Sequence, residues 1–163
     1  MVCFLSALQA PIQAFLRPAM WIPGLNKLHS HRERWQCPDA TPDVCINELV
    51  MAVSKADVTD KINTYRIKAI DTERCTCQIY SFTRAEWLDV VEIEFMPGRE
   101  QGTEAEALSF SSGILPTWVP LCFLFNCIFF FFPFYDNQLN KKRLEHIRDC
   151  MSVTCNVIAE KDD

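Results

Sequence analysis

Residues 114–135 read Ile-Leu-Pro-Thr-Trp-Val-Pro-Leu-Cys-Phe-Leu-Phe-Asn-Cys-Ile-Phe-Phe-Phe-Phe-Pro-Phe-Tyr, without one charged side chain. Four consecutive phenylalanines held in water would drive aggregation, so a folded chain has to find them an apolar environment. As a straight helix the run would be about 30 Å long, which matches the hydrocarbon core of a bilayer. The expected partner is therefore membrane lipid, met by Trp118, Phe123, Phe125, Phe129, Phe130, Phe131 and Phe132. Two geometries answer the pattern. In the first, a single helix crosses the membrane, with Lys141, Lys142 and Arg143 held inside by the positive-inside rule. In the second, a hairpin dips into lipid. Pro116, Pro120 and Pro133 interrupt a straight helix, and Asn126 can turn the chain at mid-run.

At 163 residues the chain has room for one domain with appendages. A net charge of -5 with no dominant basic face argues against a nucleic-acid partner. The basic cluster at 141–143 follows the apolar run directly, a placement suited to anionic headgroups. Cys37, Cys45, Cys75 and Cys77 lack the paired spacing of a zinc site, so no metal is expected, and no motif implies a cofactor. Nine cysteines, an odd number, leave a free thiol, which favours a membrane-associated body on the cytosolic side; the organelle is open.

Residues 1–36 read as a partly apolar leader, a weakly amphipathic arm or a disordered one, ending in the polar stretch around His29 and His31. The folded body then begins at Cys37-Pro38. Thr41-Pro42-Asp43 marks a helix start, with apolar residues at helical spacing to about Ala56. Four strands follow. The first, 64–70, puts Tyr65, Ile67 and Ala69 on one face; the second is 75–83; in the third, 88–95, Val91, Ile93 and Phe95 alternate with Glu92 and Glu94; the fourth is 107–112. Asp136 can cap a last helix over about 137–151, and residues 152–163 read as a disordered tail. The order predicts an α+β domain over 37–151, an antiparallel four-stranded meander with helices across one face and a hydrophobic insert, 114–135, before the last helix.

Several pieces resemble the domain of unknown function family 1499. Cys37-Pro38 and Asp43-Val44-Cys45 stand where its first elements would, and Asp89-Val90-Val91-Glu92-Ile93 is similar to its acidic strand. Ser109-Phe110-Ser111 resembles its serine element. Asp136-Asn137-Gln138-Leu139-Asn140-Lys141-Lys142-Arg143 resembles its last motif, with Gln138 in place of glycine. The resemblance spans residues 37–150 and departs at Leu108 and Ser112, where the family has arginines. It marks Asp89, Glu92, Ser109, Ser111, Asp136, Asn140, Lys142 and Arg143 as motif positions and lets Asp89 and Glu92 pair with Arg143 or Arg148. It implies a small compact domain and no activity.

Read from the residues alone, Glu92 and Glu94 lie on a solvated strand face, with Asp89 on the other side. The serines lack a nucleophile elbow, and His146 has no paired nucleophile. The expected function is a membrane-associated interaction or ligand-binding module without catalysis. Its alternatives are a lipid-handling protein with the insert as lid or pocket wall, and a membrane-bound enzyme using Asp89, Glu92 and His146. The protein or small-molecule partner is open.

Overall fold

The computed structural model describes residues 2–98, 102–134, 136 and 138–161. The elements are α1 (Phe4–Leu16), a 3-10 turn (Pro18–Met20), α2 (Asn26–His29), β1 (Ser30–Cys37), α3 (Pro42–Thr59), β2 (Asn63–Asp71), β3 (Thr76–Thr83), β4 (Leu88–Pro97), β5 (Thr103–Ser111), α4 (Cys122–Ile128), α5 (Leu139–Cys150) and β6 (Asn156–Lys161). All strands join one sheet in the order β2-β3-β4-β5-β1-β6, and every pairing is antiparallel.

The expected meander is present as β2 to β5, each strand beside its sequence neighbour. Asp71 fixes the first hairpin, its carboxylate accepting the backbone N–H groups of Glu73 and Arg74. Pro42 opens α3 at a position where its missing N–H costs nothing, and the Thr41 carbonyl accepts the Cys45 N–H. One strand reading changes. A bulge between Ile67 and Ala69 turns Ala69 off the Tyr65 face.

Among the described residues the sheet has six strands rather than four. The two additions come from segments read as a leader and a tail. β1 escapes the alternation test because its inward positions include His31 and Glu33 beside Trp35 and Cys37. β6 is a short edge strand against β1, held at its start by a Cys37–Cys155 disulfide whose Cα atoms are 4.2 Å apart. A cytosolic body implies free thiols at Cys37, Cys45, Cys75 and Cys77; at Cys37 this is corrected, because β1 and β6 bring it beside Cys155. Cys45, Cys75 and Cys77 remain unbridged and buried.

Helices also cover both faces of the sheet rather than one. On the first face, α3 and α5 set Leu49, Val53, Leu144 and Ile147 on Tyr65, Ile79, Val91, Ile93 and Phe95. On the second, α1 lays Ala10 and Ala14 on Tyr80, Phe82, Leu88, Val90 and Phe110. These small side chains let the helix come close to the sheet. Pro11 does not end α1, which stops at Arg17 in a left-handed conformation before Pro18.

No helix among the described residues is long and apolar enough to cross a membrane. The apolar run folds instead as loop, the 7-residue α4 and loop. Both of its flanks belong to one domain, since α5 packs on β5. A crossing would separate these elements, so the single-helix expectation is corrected. Asn126 does not turn the chain. It is buried in α4, where its amide accepts the Leu115 N–H at 2.8 Å and donates back to the Leu115 carbonyl at 3.2 Å.

Candidate functional site

Where β3, β4 and β5 meet α5, their first-face positions are polar. Ser81, Asp89, Ser109 and Ser111 point at a helix that carries Asn140 and Arg143 one turn apart, all of them buried. The Arg143 guanidinium has five N–H donors, and the structure supplies five acceptors. Nε meets Ser81 Oγ at 2.9 Å. One terminal nitrogen meets Ser109 Oγ at 3.1 Å and Asn140 Oδ1 at 2.8 Å; the other meets Asp89 Oδ2 at 2.6 Å and Asn63 Oδ1 at 3.4 Å. Ser109 Oγ donates to Asn140 Oδ1 at 2.7 Å, and Asn140 Nδ2 donates to the His29 carbonyl at 2.9 Å and to Asp136 Oδ2 at 2.6 Å. Asp136 caps α5 as expected, accepting the Gln138 and Asn140 backbone N–H groups at 3.0 Å. Burial raises the Asp89 carboxyl above its usual range, with Arg143 and Ser111 opposing it.

This network forms the floor of a cavity of about 410 Å³. Thr83, Asp89, Ser111 and Asp136 supply its polar side chains, and Trp87, Ile114, Phe134 and Leu139 its apolar walls. Gly113 and Ile114 enter the apolar run, and Phe134 and Asp136 leave it, so the run loops out from the cavity rim. Trp87 pins the rim by donating Nε1–H to the Ile114 carbonyl at 2.9 Å. Behind Phe134 the buried His29 ring stacks at 3.9 Å, and burial pushes it below the usual histidine range.

Of the motif positions, Asp89, Ser109, Ser111, Asp136, Asn140 and Arg143 thus converge. Glu92 does not. It faces the end of α1, pairing with both terminal guanidinium nitrogens of Arg17 and accepting from Gln78, so its side of the strand is half-covered rather than solvated. Glu94 is exposed as expected. Lys142 points to solvent, whereas Arg143 is the network's centre and leaves the basic cluster. The alternative constellation of Asp89, Glu92 and His146 does not assemble. Asp89 and Glu92 occupy opposite faces of β4, and His146 meets Thr59 Oγ1 at 3.1 Å. Arg148 takes Glu33 as its partner, at 2.7 Å. Ser81, Asn63, Trp87 and Phe134 were not singled out by the sequence, and His29, which the sequence places in a polar stretch, is buried. Ser81 alone carried a signal, as a polar residue at a core-facing strand position.

A second feature lies on the other face of the sheet. The inner edge of α1 is polar and buried. Ser6 is bonded to Glu86; Gln9 donates to the Thr117 and Val119 carbonyls, both at 2.9 Å; Gln13 donates to the Ser112 carbonyl at 2.8 Å. Its outer edge is Phe4, Leu8, Ile12 and Phe15, with Phe4 84% and Phe15 83% exposed. α4 packs beside α1 and adds Leu121, Leu124, Phe125 and Ile128, and Trp118, Phe129, Phe131 and Phe132 are exposed nearby in sequence. Trp21 joins them through Phe130, ring centroids 5.4 Å apart. Phe123 and Phe130 are half-buried.

No family model matches the chain, and no curated protein matches it. Among solved structures it is similar to the crystal structure of Ara h 8.0201, at 9% identity and a TM-score of 0.44, covering 75% of this chain and 94% of that one. A likeness that loose leaves the site to be read from its own geometry.

Proposed function

We propose that this protein is a peripheral membrane module that rests on lipid through the α1 and α4 face and holds a small ligand in the cavity at the base of the apolar run. The inversion of α1 carries the reading. A helix on a water-facing surface turns its polar edge outward. Here Ser6, Gln9 and Gln13 are spent on internal bonds while Phe4, Leu8 and Phe15 stand out. The same holds in α4, where the polar Asn126 is buried beside Cys122 while Leu124, Phe125 and Ile128 are exposed. Large, charge-free apolar patches mark interaction surfaces. Rings standing this far from the backbone suit fluid acyl chains, which need no shaped pocket. Trp21 and Trp118 add the residue type that concentrates at the membrane interface. A short in-plane helix with its apolar face buried shallowly gives this kind of attachment.

The resemblance to the domain of unknown function family 1499 enters the same reading, because six of the eight motif positions it marks belong to the network at the cavity floor. The Cys37–Cys155 bridge supports a body in an oxidising compartment, against the cytosolic side favoured by the cysteine count. No reaction is assigned.

Flotation with phosphatidylcholine vesicles tests the attachment. The native chain should rise with the vesicles. A triple variant, Leu8→Ser, Phe15→Ser and Phe131→Ser, should remain at the bottom with its circular dichroism unchanged. Equal behaviour of both, with the native chain forming a stable dimer that the variant loses, would assign the face to a second copy instead.

A further inference from the structure

Which ligand the cavity takes follows from the donors and acceptors left at its floor. All five N–H groups of Arg143 are committed within the protein, so the guanidinium has none to offer an incoming carboxylate or phosphate. Asp89 and Asp136 both line the cavity. The floor therefore holds two carboxylates against one guanidinium. His29 adds no positive charge near neutral pH, because burial lowers it. The walls beside these acids are the Trp87 and Phe134 rings, whose faces attract cations. A volume of about 410 Å³ lies in the range of small-molecule sites.

We infer that the cavity binds a primary amine on an apolar or aromatic body, with the ammonium at Asp89 and Asp136 and the body between Trp87 and Phe134. This rests on reading the cavity as a ligand site. An ammonium balances the second carboxylate and donates to the lone pairs that Asp89 and Asp136 keep beyond their bonds to Arg143, Gln138 and Asn140. A carboxylate-headed ligand of the same shape meets like charge at Asp89 and Asp136 and finds the Arg143 donors already taken.

Three probes of one shape test this on the full chain in vesicle-free solution: 2-phenylethylamine, 2-phenylethanol and 3-phenylpropanoate. The readout is the Trp87 indole N–H resonance in protein labelled with nitrogen-15 tryptophan, assigned with Trp87→Phe. The amine should shift this signal saturably and bind at least about ten-fold more tightly than the alcohol (roughly 1.4 kcal/mol), and the carboxylate should leave it in place. Ile114→Trp, which fills the cavity from its rim, should abolish the shift. Equal or tighter binding of the alcohol or carboxylate at Trp87 would overturn the amine assignment and leave a ligand site standing. Silence of Trp87 toward all three, or shifts confined to Trp21 and Trp118, would overturn the site itself. Flotation of the same sample reads the membrane attachment separately.

Discussion

Arg143 and Glu33 are the two residues on which buried charge turns. Removing the Arg143 side chain leaves the buried Asp89 carboxylate without its counter-charge and Ser81 Oγ without its donor. Arg143→Ala should therefore destabilise the fold by about 3–5 kcal/mol in urea unfolding. Glu94→Ala, on an exposed position of β4, should move it by no more than about 0.5 kcal/mol. Glu33 is a separate case. It is buried, and burial alone would raise its carboxyl. Bonds from His31 and Trp35 and the charge of Arg148 overcome this and hold it below the ordinary value of 4.5. A carboxyl depressed in the fold contributes stability above the unfolded-state pKa and loses it as pH falls through the folded one. Stability followed by denaturant midpoint should hence drop below about pH 4.5, and Glu33→Gln should flatten that acid limb. An unchanged acid limb in Glu33→Gln would show that Glu33 does not set it. From the sequence, the convergence of Asp89 with Arg143 was legible only through motif resemblance. Spacing alone says that Asn140, Arg143 and Leu144 share a helix face, but not that the face is buried, because arginine is seldom a core residue.

Among the elements, β2 to β5, α3 and α5 were readable because apolar residues recur at periods of two or about four. β1 was not, since Glu33 occupies an inward position that its ion pair makes tolerable, and β6 was not, since six residues at a sheet edge carry little pattern. The path of the apolar run was hidden for another reason. Its fold depends on contacts with α1 and Glu86, roughly 30 to 110 residues away in sequence. Gly113 sits where these contacts gather. A Cβ there would fall on the Gln13 and Asn126 amides, and neither can leave without losing a buried hydrogen bond. Gly113→Ala should loosen α1 and α4 from each other, raising amide exchange in residues 4–16 and 114–128 while β2 and β3 keep their protection. Uniform exchange across all these segments, or none, would contradict that linkage. At the chain's other end, alkylation without reductant should leave Cys37 and Cys155 unmodified, and reduction should expose both. The bridge closes a long loop, so its removal should cost about 2–4 kcal/mol.

At the scale of the molecule, the layers assign different tasks to the two faces of the sheet. The α3 and α5 side holds the larger core and the polar network; the α1 side is thin, ends in aromatic rings and carries its polar groups inward. The cavity opens at the edge where the apolar run springs from the sheet, which sets the proposed ligand site beside the proposed lipid surface. Quenching of tryptophan fluorescence by lipids brominated along the acyl chain tests that surface most directly. Four tryptophans report from different environments: Trp21 and Trp118 are exposed, Trp87 lies at the cavity rim and Trp35 in the core. With α1 and α4 in the bilayer, brominated vesicles should quench the native chain, and Trp21→Phe with Trp118→Phe should remove most of that quenching. Quenching that is absent in the native chain, or that survives both replacements undiminished, would contradict a lipid-facing α1 and α4.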